Sequence, residues 1–140
     1  MNETLNEILS QFQPTQIIDF ATCDKDNKPK VRPVTLKYID SRFWVLTFSR
    51  SAKAEQLRNN PNFEFCIVFG KDENSNYLRA NGKVEITEDM DTKKMIAEKT
   101  EFFSMFWKTH DDPGYMLLEL KIEEYVYTKA GSMEEVIVKA

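Results

Sequence analysis

The chain has 140 residues, a formal net charge of −4, 41% hydrophobic residues and 30% charged residues. This length suits one domain, residues 1–140, that can bury a core without metal or disulfide staples. The acidic balance argues against nucleic-acid binding, and no apolar run approaches the roughly 18–20 residues of a membrane helix. The acidic, amphipathic start resembles neither a secretory signal nor a transit peptide, so we expect a cytoplasmic protein without nucleic-acid or membrane partners.

Apolar residues between Leu5 and Phe12 recur at helical spacing and predict a first helix, with Asn2 as its N-cap and Pro14 as its stop. Alternating and β-branched stretches then predict a meander of three strands. The strands are expected at 16–23, 30–39 and 42–48, separated by a polar turn at 24–29 and a tight turn at 40–41.

Pro33 interrupts the second strand of this meander. Because proline cannot donate a ladder hydrogen bond, the strand must lie at an edge or be bulged there. Arg32 and Lys37 are five residues apart, so a regular strand would place them on opposite faces. A bulge near Pro33 would change that parity. Spacing alone therefore does not join the two cations into one site.

The second half of the chain predicts a further mixture of strands and helices. Consecutive antiparallel strands with few parallel crossovers predict a mainly β protein, a closed or partly closed barrel with helices at its ends. Gly82 is expected to mark a bulge or close packing in its strand, and the tail from residue 130 carries no firm assignment. The expected elements are a helix at about 52–59, strands at 63–70 and 77–88, a helix at 90–107 and a strand at 116–128.

Metal and disulfide chemistry find little support in the sequence. Cys23 and Cys66 lie in apolar, strand-like stretches without CxxC spacing, so we expect two buried, reduced thiols rather than a disulfide. His110 is the single histidine, and it does not form a metal-ligand pattern with two scattered cysteines. The sequence therefore predicts no metal site.

Basic residues are concentrated in one part of this acidic chain. Residues 28–58 hold eight lysines and arginines against two acids, so this window carries +6 and the remainder −10. Within it, Arg50, Ser51 and Lys53 place two cations and a hydroxyl at the start of the helix expected at 52–59. The helix dipole disfavours cations there, and a bound anion would reverse that balance. A solvated basic helix start explains the same residues without a ligand.

Three ordered segments carry a family resemblance: RPVTLK (32–37), WVLTFSRSAKAEQLRNNP (44–61) and ANGKVEIT (80–87). They resemble the pyridoxamine 5′-phosphate oxidase family of FMN-binding split-barrel proteins, which shows an R-x-V-x-L-K strand and a helix beginning S-x-K-A-x-Q. The similarity covers about residues 16–88. The resemblance implies an antiparallel, Greek-key split β-barrel that forms a homodimer, with one FMN in each of two clefts between the subunits.

The resemblance also implies roles for individual residues. Arg32 and Lys53 would hold the FMN phosphate, and Arg50 would substitute for a second basic residue of the family. Lys37 would lie by the reactive side of the flavin or its substrate, and it is the candidate catalytic residue. The whole cofactor-binding set implied by position is Arg32, Pro33, Val34, Thr35, Leu36, Lys37, Leu46, Thr47, Arg50, Ser51, Lys53 and Tyr77.

The sequence departs from the family pattern where the true oxidases bind their substrate. The Tyr, Arg and Ser that hold the substrate phosphate in the family fall on Met95, Lys99 and Phe103, and the chain ends before the family's C-terminal Trp- and Arg-containing segment. We therefore expect an FMN-dependent oxidoreductase of an unknown small molecule and not a true pyridoxamine phosphate oxidase. The alternatives are a non-catalytic flavin-binding stress-response dimer, or a split barrel that uses the deazaflavin F420 or haem.

The segment 102–127, FFSMFWKTHDDPGYMLLELKIEEYVY, is similar to the short general stress protein branch of this family. The similarity lies in its aromatic run, in Asp112-Pro113 and in Glu124-Tyr125, whereas Val126 stands where that branch usually has Trp. We expect core or dimer packing, rather than direct flavin contact, for the aromatic residues Phe102, Phe103, Phe106 and Trp107.

Overall fold

The computed structural model describes residues 2–140 and contains, within them, three α-helices, seven β-strands and two 3₁₀ turns. Most element bounds agree with the sequence patterns, including the N-cap, where the Asn2 side chain accepts hydrogen bonds from the backbone of Thr4 and Leu5. In chain order the elements are α1 Glu3–Ser10, β1 Thr15–Cys23, β2 Pro29–Ile39, β3 Arg42–Phe48, α2 Ala52–Asn59, β4 Asn62–Phe69, a 3₁₀ turn Asp72–Asn74, β5 Asn76–Thr87, α3 Met90–Glu98, a 3₁₀ turn Phe103–Met105, β6 Tyr115–Thr128 and β7 Glu135–Lys139.

Six antiparallel strands close a barrel in the order β3-β2-β1-β4-β5-β6, and β6 returns to pair with β3. Because β4 lies beside β1 after the three-stranded meander, the first four strands form a Greek key. The mainly β, Greek-key split barrel expected from the sequence is confirmed. β7 pairs with β6 outside the closed barrel, in the tail for which the sequence carried no assignment.

Two apolar clusters hold the barrel together. The interior is filled by residues such as Phe20, Phe65 and Leu118, and the helices α1 and α2 add Ile8 and Leu57 to it. The second cluster lies on the outer face of β3 and β6, where Trp44 and Leu117 pack against Ile96 of α3. α3 therefore lies on the side of the barrel, and the expectation that all helices sit at its ends is wrong for α3.

The helix expected at 90–107 is also wrong beyond Glu98. The Thr100 hydroxyl donates to the carbonyl of Ile96 at 2.7 Å, and the chain then turns through Phe103–Met105. This turn brings Phe103 and Trp107 against the Tyr115 ring, with centroid distances of 4.9 and 5.1 Å. Packing on Tyr115 thus overrides the helical spacing of the aromatic residues.

The structure resolves the two alternatives that Pro33 raised. β1 and β2 pair in a regular register from Thr15 opposite Lys37 to Cys23 opposite Pro29, without a shift at Pro33. β2 pairs with β3 only from Lys37 to Ile39, so Pro33 lies where one side of β2 is a free edge. The edge alternative is confirmed and the bulge is not, and Arg32 and Lys37 therefore face opposite sides of the strand.

Gly82 occupies the bulge that the sequence indicated. Asn81 lies opposite Glu124 while Gly82 lies opposite Ile122, so Glu123 is the extra residue on β6. A β-carbon at Gly82 would overlap the backbone carbonyl oxygen of Lys121. Only glycine permits this approach of the two backbones.

Candidate functional site

A cleft of about 560 Å³ opens between the β1–β2 face, the end of β3, the start of α2 and the segment that follows α3. Its volume lies within the range of roughly 300–1,000 Å³ that is usual for small-molecule sites. Six of the twelve cofactor-binding residues proposed from the sequence line it: Pro33, Val34, Thr35, Leu46, Thr47 and Lys53.

Two half-buried cations lie at the α2 end of this cleft. The Arg32 guanidinium donates hydrogen bonds of 2.8 to 3.3 Å to three neutral oxygens, those of the Phe20 carbonyl, the Thr22 hydroxyl and the Gln56 amide. Burial lowers the pKa of Arg32, and burial together with the charge of Arg32 lowers the pKa of Lys53. No carboxylate among residues 2–140 forms an ion pair with either cation. The local chemistry therefore favours a bound anion.

Ser51 lies next to these cations and shapes the start of α2. Its hydroxyl caps the helix by accepting from the backbone of Ala54, and it lies 3.3 Å from the Thr47 hydroxyl of the cleft wall. Lys53 belongs to this first turn of α2, where the backbone N–H groups have no partner within the helix. Such N–H groups are neutral donors that suit an anionic oxygen.

Lys37 does not line the cleft. Its side chain is 2% exposed, and its ammonium donates to the Thr15 hydroxyl at 2.6 Å and to the Glu101 carboxylate at 2.9 Å. Hydrogen bonds from Lys37, from the Glu101 backbone and from Thr15 lower the pKa of Glu101 to about 2. Lys37 is therefore neutralised by a carboxylate that stays ionised at every ordinary pH.

Replacing Glu101 with glutamine is expected to lower the urea midpoint of unfolding at pH 7, because it leaves the buried Lys37 ammonium without its counter-charge. The pKa of Glu101 is lowered from 4.5 to about 2 on folding, so the ionised carboxylate stabilises the fold above about pH 4.5. That contribution is lost as the pH falls towards 2. Urea titrations at several pH values should show the two proteins converging in acid.

Glu98→Gln is the matched control for this measurement. Glu98 is an exposed carboxylate at the end of α3, and removing its charge should leave the midpoint unchanged. A midpoint of Glu101→Gln that equals the wild type at pH 7 would contradict the stabilising ion pair.

The remaining predicted residues lie outside the cleft wall. Leu36 is fully buried in the barrel core. Arg50 is exposed beside Pro113 and Gly114 in a separate depression. Tyr77 is exposed on β5, opposite Val68 of β4. The structure thus groups Arg32, Ser51 and Lys53 at one end of the cleft and leaves Arg50 and Tyr77 away from it within this chain.

Sequence reasoning missed part of the cleft wall. Ile17, Phe48 and Met105 line the cleft. No sequence motif marked Ile17 or Met105, and Phe48 was predicted only as the last residue of a strand. The aromatic residues after α3 divide between two roles: Phe103 and Trp107 pack in the outer cluster, whereas Phe102, Phe106 and again Trp107 line the cleft. The exposure of Met105 (76%) and Phe106 (50%) is the structural signal for this apolar wall.

Other site classes find no support in the described structure. Among residues 2–140 no three His, Cys, Asp or Glu side chains cluster as metal ligands would. Cys23 and Cys66 are free thiols and are half-buried rather than fully buried. Over the same residues, every helix is too short or too polar to cross a membrane.

Comparisons with known sequences agree on one family. The family model described as pyridoxamine 5′-phosphate oxidase matches residues 4–129. A pyridoxine/pyridoxamine 5′-phosphate oxidase of Ehrlichia ruminantium is 32% identical over 97 residues, which cover 67% of this chain and 48% of that protein. General stress protein 26 of Bacillus subtilis is 27% identical over 131 residues, which cover 89% and 88% of the two chains. The chain spans about half the length of the oxidases that it matches.

Solved structures share the fold at low sequence identity. A heme binding protein from Mycobacterium smegmatis superimposes with a TM-score of 0.81 at 13% identity, over 99% of this chain and 59% of that one. A pyridoxamine 5′-phosphate oxidase-related, FMN binding protein from Nostoc punctiforme gives a TM-score of 0.71 at 15% identity, over 86% and 78% of the chains. At these identities the similarity establishes the split-barrel fold alone.

Proposed function

The chain belongs to the pyridoxamine 5′-phosphate oxidase family, and from this premise we propose that it binds FMN in the cleft between β2, β3 and α2. One observation carries the proposal: Arg32 and Lys53 are half-buried beside each other without a carboxylate partner among residues 2–140. Two half-buried cations side by side without a counter-charge cost stability unless an anion binds to them. A phosphate monoester at the end of an apolar cleft matches this arrangement.

The free edge of β2 supplies main-chain groups for a flavin ring. Pro33 has no N–H, so it occupies a non-hydrogen-bonded position opposite Asp19 of β1. Thr35 is two residues further along the strand, so its N–H and C=O point away from β1 as those of Pro33 do. They face the edge of β2 that is not paired with β3. The cleft residues Val34 and Leu46 add apolar surface beside that edge. Ring heteroatoms would therefore meet backbone donors and acceptors, and the ring faces would meet apolar side chains.

The proposed reaction class is electron transfer to or from a small molecule. Bound FMN supplies the redox chemistry, while the protein binds, orients and excludes water. Oxidation of pyridoxamine phosphate is not part of the proposal, because the three positions of the family's substrate-phosphate ligands have other contacts here. Phe103 is buried in the outer cluster and Met95 packs against that cluster, whereas Lys99 pairs with Asp40 at 3.7 Å.

A homodimer is part of the proposal. The outer barrel face next to the cleft exposes the apolar side chains of Ile17, Val31 and Val68, together with Tyr77. Val68 and Tyr77 are cross-strand neighbours, so they form a continuous surface. Burying this face against a second copy would remove the exposed apolar area from water. In such a dimer, Tyr77 of one subunit would contribute to the cleft of the other subunit, although it lies away from the cleft of its own chain.

One observation favours a second candidate, a flavin-binding protein without catalysis. Among residues 2–140, Lys53 is the only titratable side chain that lines the cleft, and Lys37 is held by Glu101. No group of the described residues is therefore placed to exchange a proton with a substrate. If the flavin-loaded protein oxidises NAD(P)H with any electron acceptor, the catalytic function is supported and the non-catalytic one is excluded.

A flavin suits the cleft better than haem does. Haem most often takes an imidazole ligand, and His110, the one histidine of the sequence, is not among the residues that line the cleft. F420 shares the phosphate end and the ring shape with FMN. Mass identification of the released ligand separates the two flavins.

The purified protein is expected to be yellow, with the two-band visible spectrum of an oxidised flavin. Denaturation should release FMN at about one per chain, and light scattering should give the mass of a dimer. A colourless protein that takes up no added FMN would overturn the proposal.

We also propose a cytoplasmic location for the protein. Cys23 and Cys66 are both unbridged, which agrees with a reducing compartment. Fractionation of cells that express the tagged protein tests this point.

A further inference from the structure

The Lys37–Glu101 ion pair lies one row of side chains beyond the cleft wall, on the side away from Arg32 and Lys53. Thr35 and Ile17 are cross-strand neighbours that line the cleft, and Lys37 and Thr15 form the next row on the same face of the sheet. From Arg32 to Lys37 the strand advances about 16 Å. A cofactor that lies along the free edge of β2, with its phosphate between Arg32 and Lys53, would therefore extend towards Lys37.

Glu101 also adjoins the apolar wall of the cleft. It immediately precedes Phe102, which lines the cleft together with Met105 and Phe106. The salt bridge thus ties the start of this wall to β1 and β2 through Thr15 and Lys37. Within the described part of the chain, Lys53 is the only charged side chain that lines the cleft, so the wall formed by Phe102, Met105 and Phe106 carries no charge.

The two partners of the ion pair differ strongly in burial. Lys37 is 2% exposed, whereas Glu101 is 63% exposed. The buried ammonium therefore depends on Glu101 for its counter-charge, while the carboxylate retains contact with water. Without Glu101, the ammonium would need another anion, and an anionic group of a ligand that extends one row beyond Thr35 would provide one.

We infer that Glu101 determines the specificity of the cleft: by neutralising Lys37 it makes the cleft select an uncharged, planar aromatic substrate over an anionic one. This inference rests on the proposed FMN site, in which the phosphate occupies Arg32 and Lys53. No cation then remains for an anionic substrate, while the wall of Phe102, Met105 and Phe106 suits an apolar ring.

Paired probes with the same ring and different charge test this inference. FMN-loaded protein is titrated calorimetrically with naphthoquinone and with naphthoquinone sulfonate. The wild type should bind the uncharged quinone at least about tenfold more tightly. Glu101→Gln should tighten sulfonate binding by about tenfold, the value of one charge-assisted contact, and change naphthoquinone binding by less than about twofold. Glu98→Gln, which removes an exposed carboxylate of α3, should change neither affinity.

Lys37→Met keeps the test decisive if Glu101→Gln folds poorly. It leaves the exposed Glu101 carboxylate without a cation, and sulfonate binding should weaken while naphthoquinone binding is retained. Sulfonate affinity that is unchanged in both variants, or that rises equally in Glu98→Gln, would overturn the role of Glu101. The visible spectrum distinguishes failure of the FMN proposal from failure of the specificity proposal. A protein that binds no FMN refutes the proposed cofactor. A protein that is loaded with FMN but shows an unchanged sulfonate preference in the variants refutes only the specificity role of Glu101.

Discussion

Replacing Gly82 with alanine is expected to lower the free energy of unfolding by about 3 kcal/mol or more. The added β-carbon would overlap the carbonyl oxygen of Lys121 and lie 3.0 Å from the amide nitrogen of Glu123. Both are backbone atoms of β6, so neither can rotate away as a side chain would. Relief requires the β5–β6 ladder to shift, and this ladder is part of the closed barrel. Urea unfolding followed by tryptophan fluorescence measures the loss.

Gly131→Ala is the matched control because it distinguishes the effect of steric overlap from the effect of backbone conformation. Gly131 has φ of +73° and nothing within 4 Å of an added β-carbon, so alanine there should cost only about 1–2 kcal/mol of left-handed strain. Equal losses at the two glycines would mean that the close approach at Gly82 is not what destabilises the barrel. Wild-type stability of Gly82→Ala would show that β6 moves without cost.

Much of this fold could be predicted because local signals agree with the barrel. The N-cap at Asn2, the turn at Asp40-Ser41 and the bulge at Gly82 each follow from short-range chemistry. Asp40 and Ser41 both adopt positive φ, of 55° and 60°, as a two-residue hairpin turn requires. The pairing of β4 with β1 is not contained in these signals, and the family resemblance implied only the Greek-key split barrel as a whole.

The errors arise where tertiary packing decides. The aromatic residues after Glu98 keep helical spacing, yet Phe103 and Trp107 reach Tyr115 only after the helix has ended. β7 is a short, solvent-facing strand that gains its place by pairing with β6, and its own pattern is too weak to identify. Neither contact can be derived from neighbours in sequence.

The candidate site likewise has a part that the sequence predicts and a part that it does not. The segment from Pro33 to Thr35 and Lys53 could be placed in one cleft from the ordered motifs of the family. The Lys37–Glu101 pair could not, because its partners are 64 residues apart in sequence and no motif links them. The family pattern suggests a cation facing the flavin, whereas this chain supplies a carboxylate that holds it.

Lys53→Ala is expected to weaken FMN binding by about 1.5–3 kcal/mol, or roughly 10- to 150-fold, since it removes one charge-assisted contact to the phosphate. Arg32→Ala should cost a similar amount. Its guanidinium also bonds to the Phe20 carbonyl, Thr22 and Gln56, so its unfolding midpoint must be measured alongside. Fluorescence titration of the flavin-free protein with FMN gives the affinities.

Riboflavin, which has the same ring without the phosphate, makes this test specific. If Lys53 binds the phosphate, Lys53→Ala should leave riboflavin affinity unchanged, and the preference of the protein for FMN over riboflavin should fall by the same factor as FMN affinity. Arg50→Ala is the matched cation control, because Arg50 lies in the separate depression beside Pro113 and Gly114, and its FMN affinity should stay near wild type. Equal weakening of both flavins by Lys53→Ala would mean that Lys53 shapes the cleft, while a loss confined to Arg50→Ala would move the phosphate to the other side of Ser51.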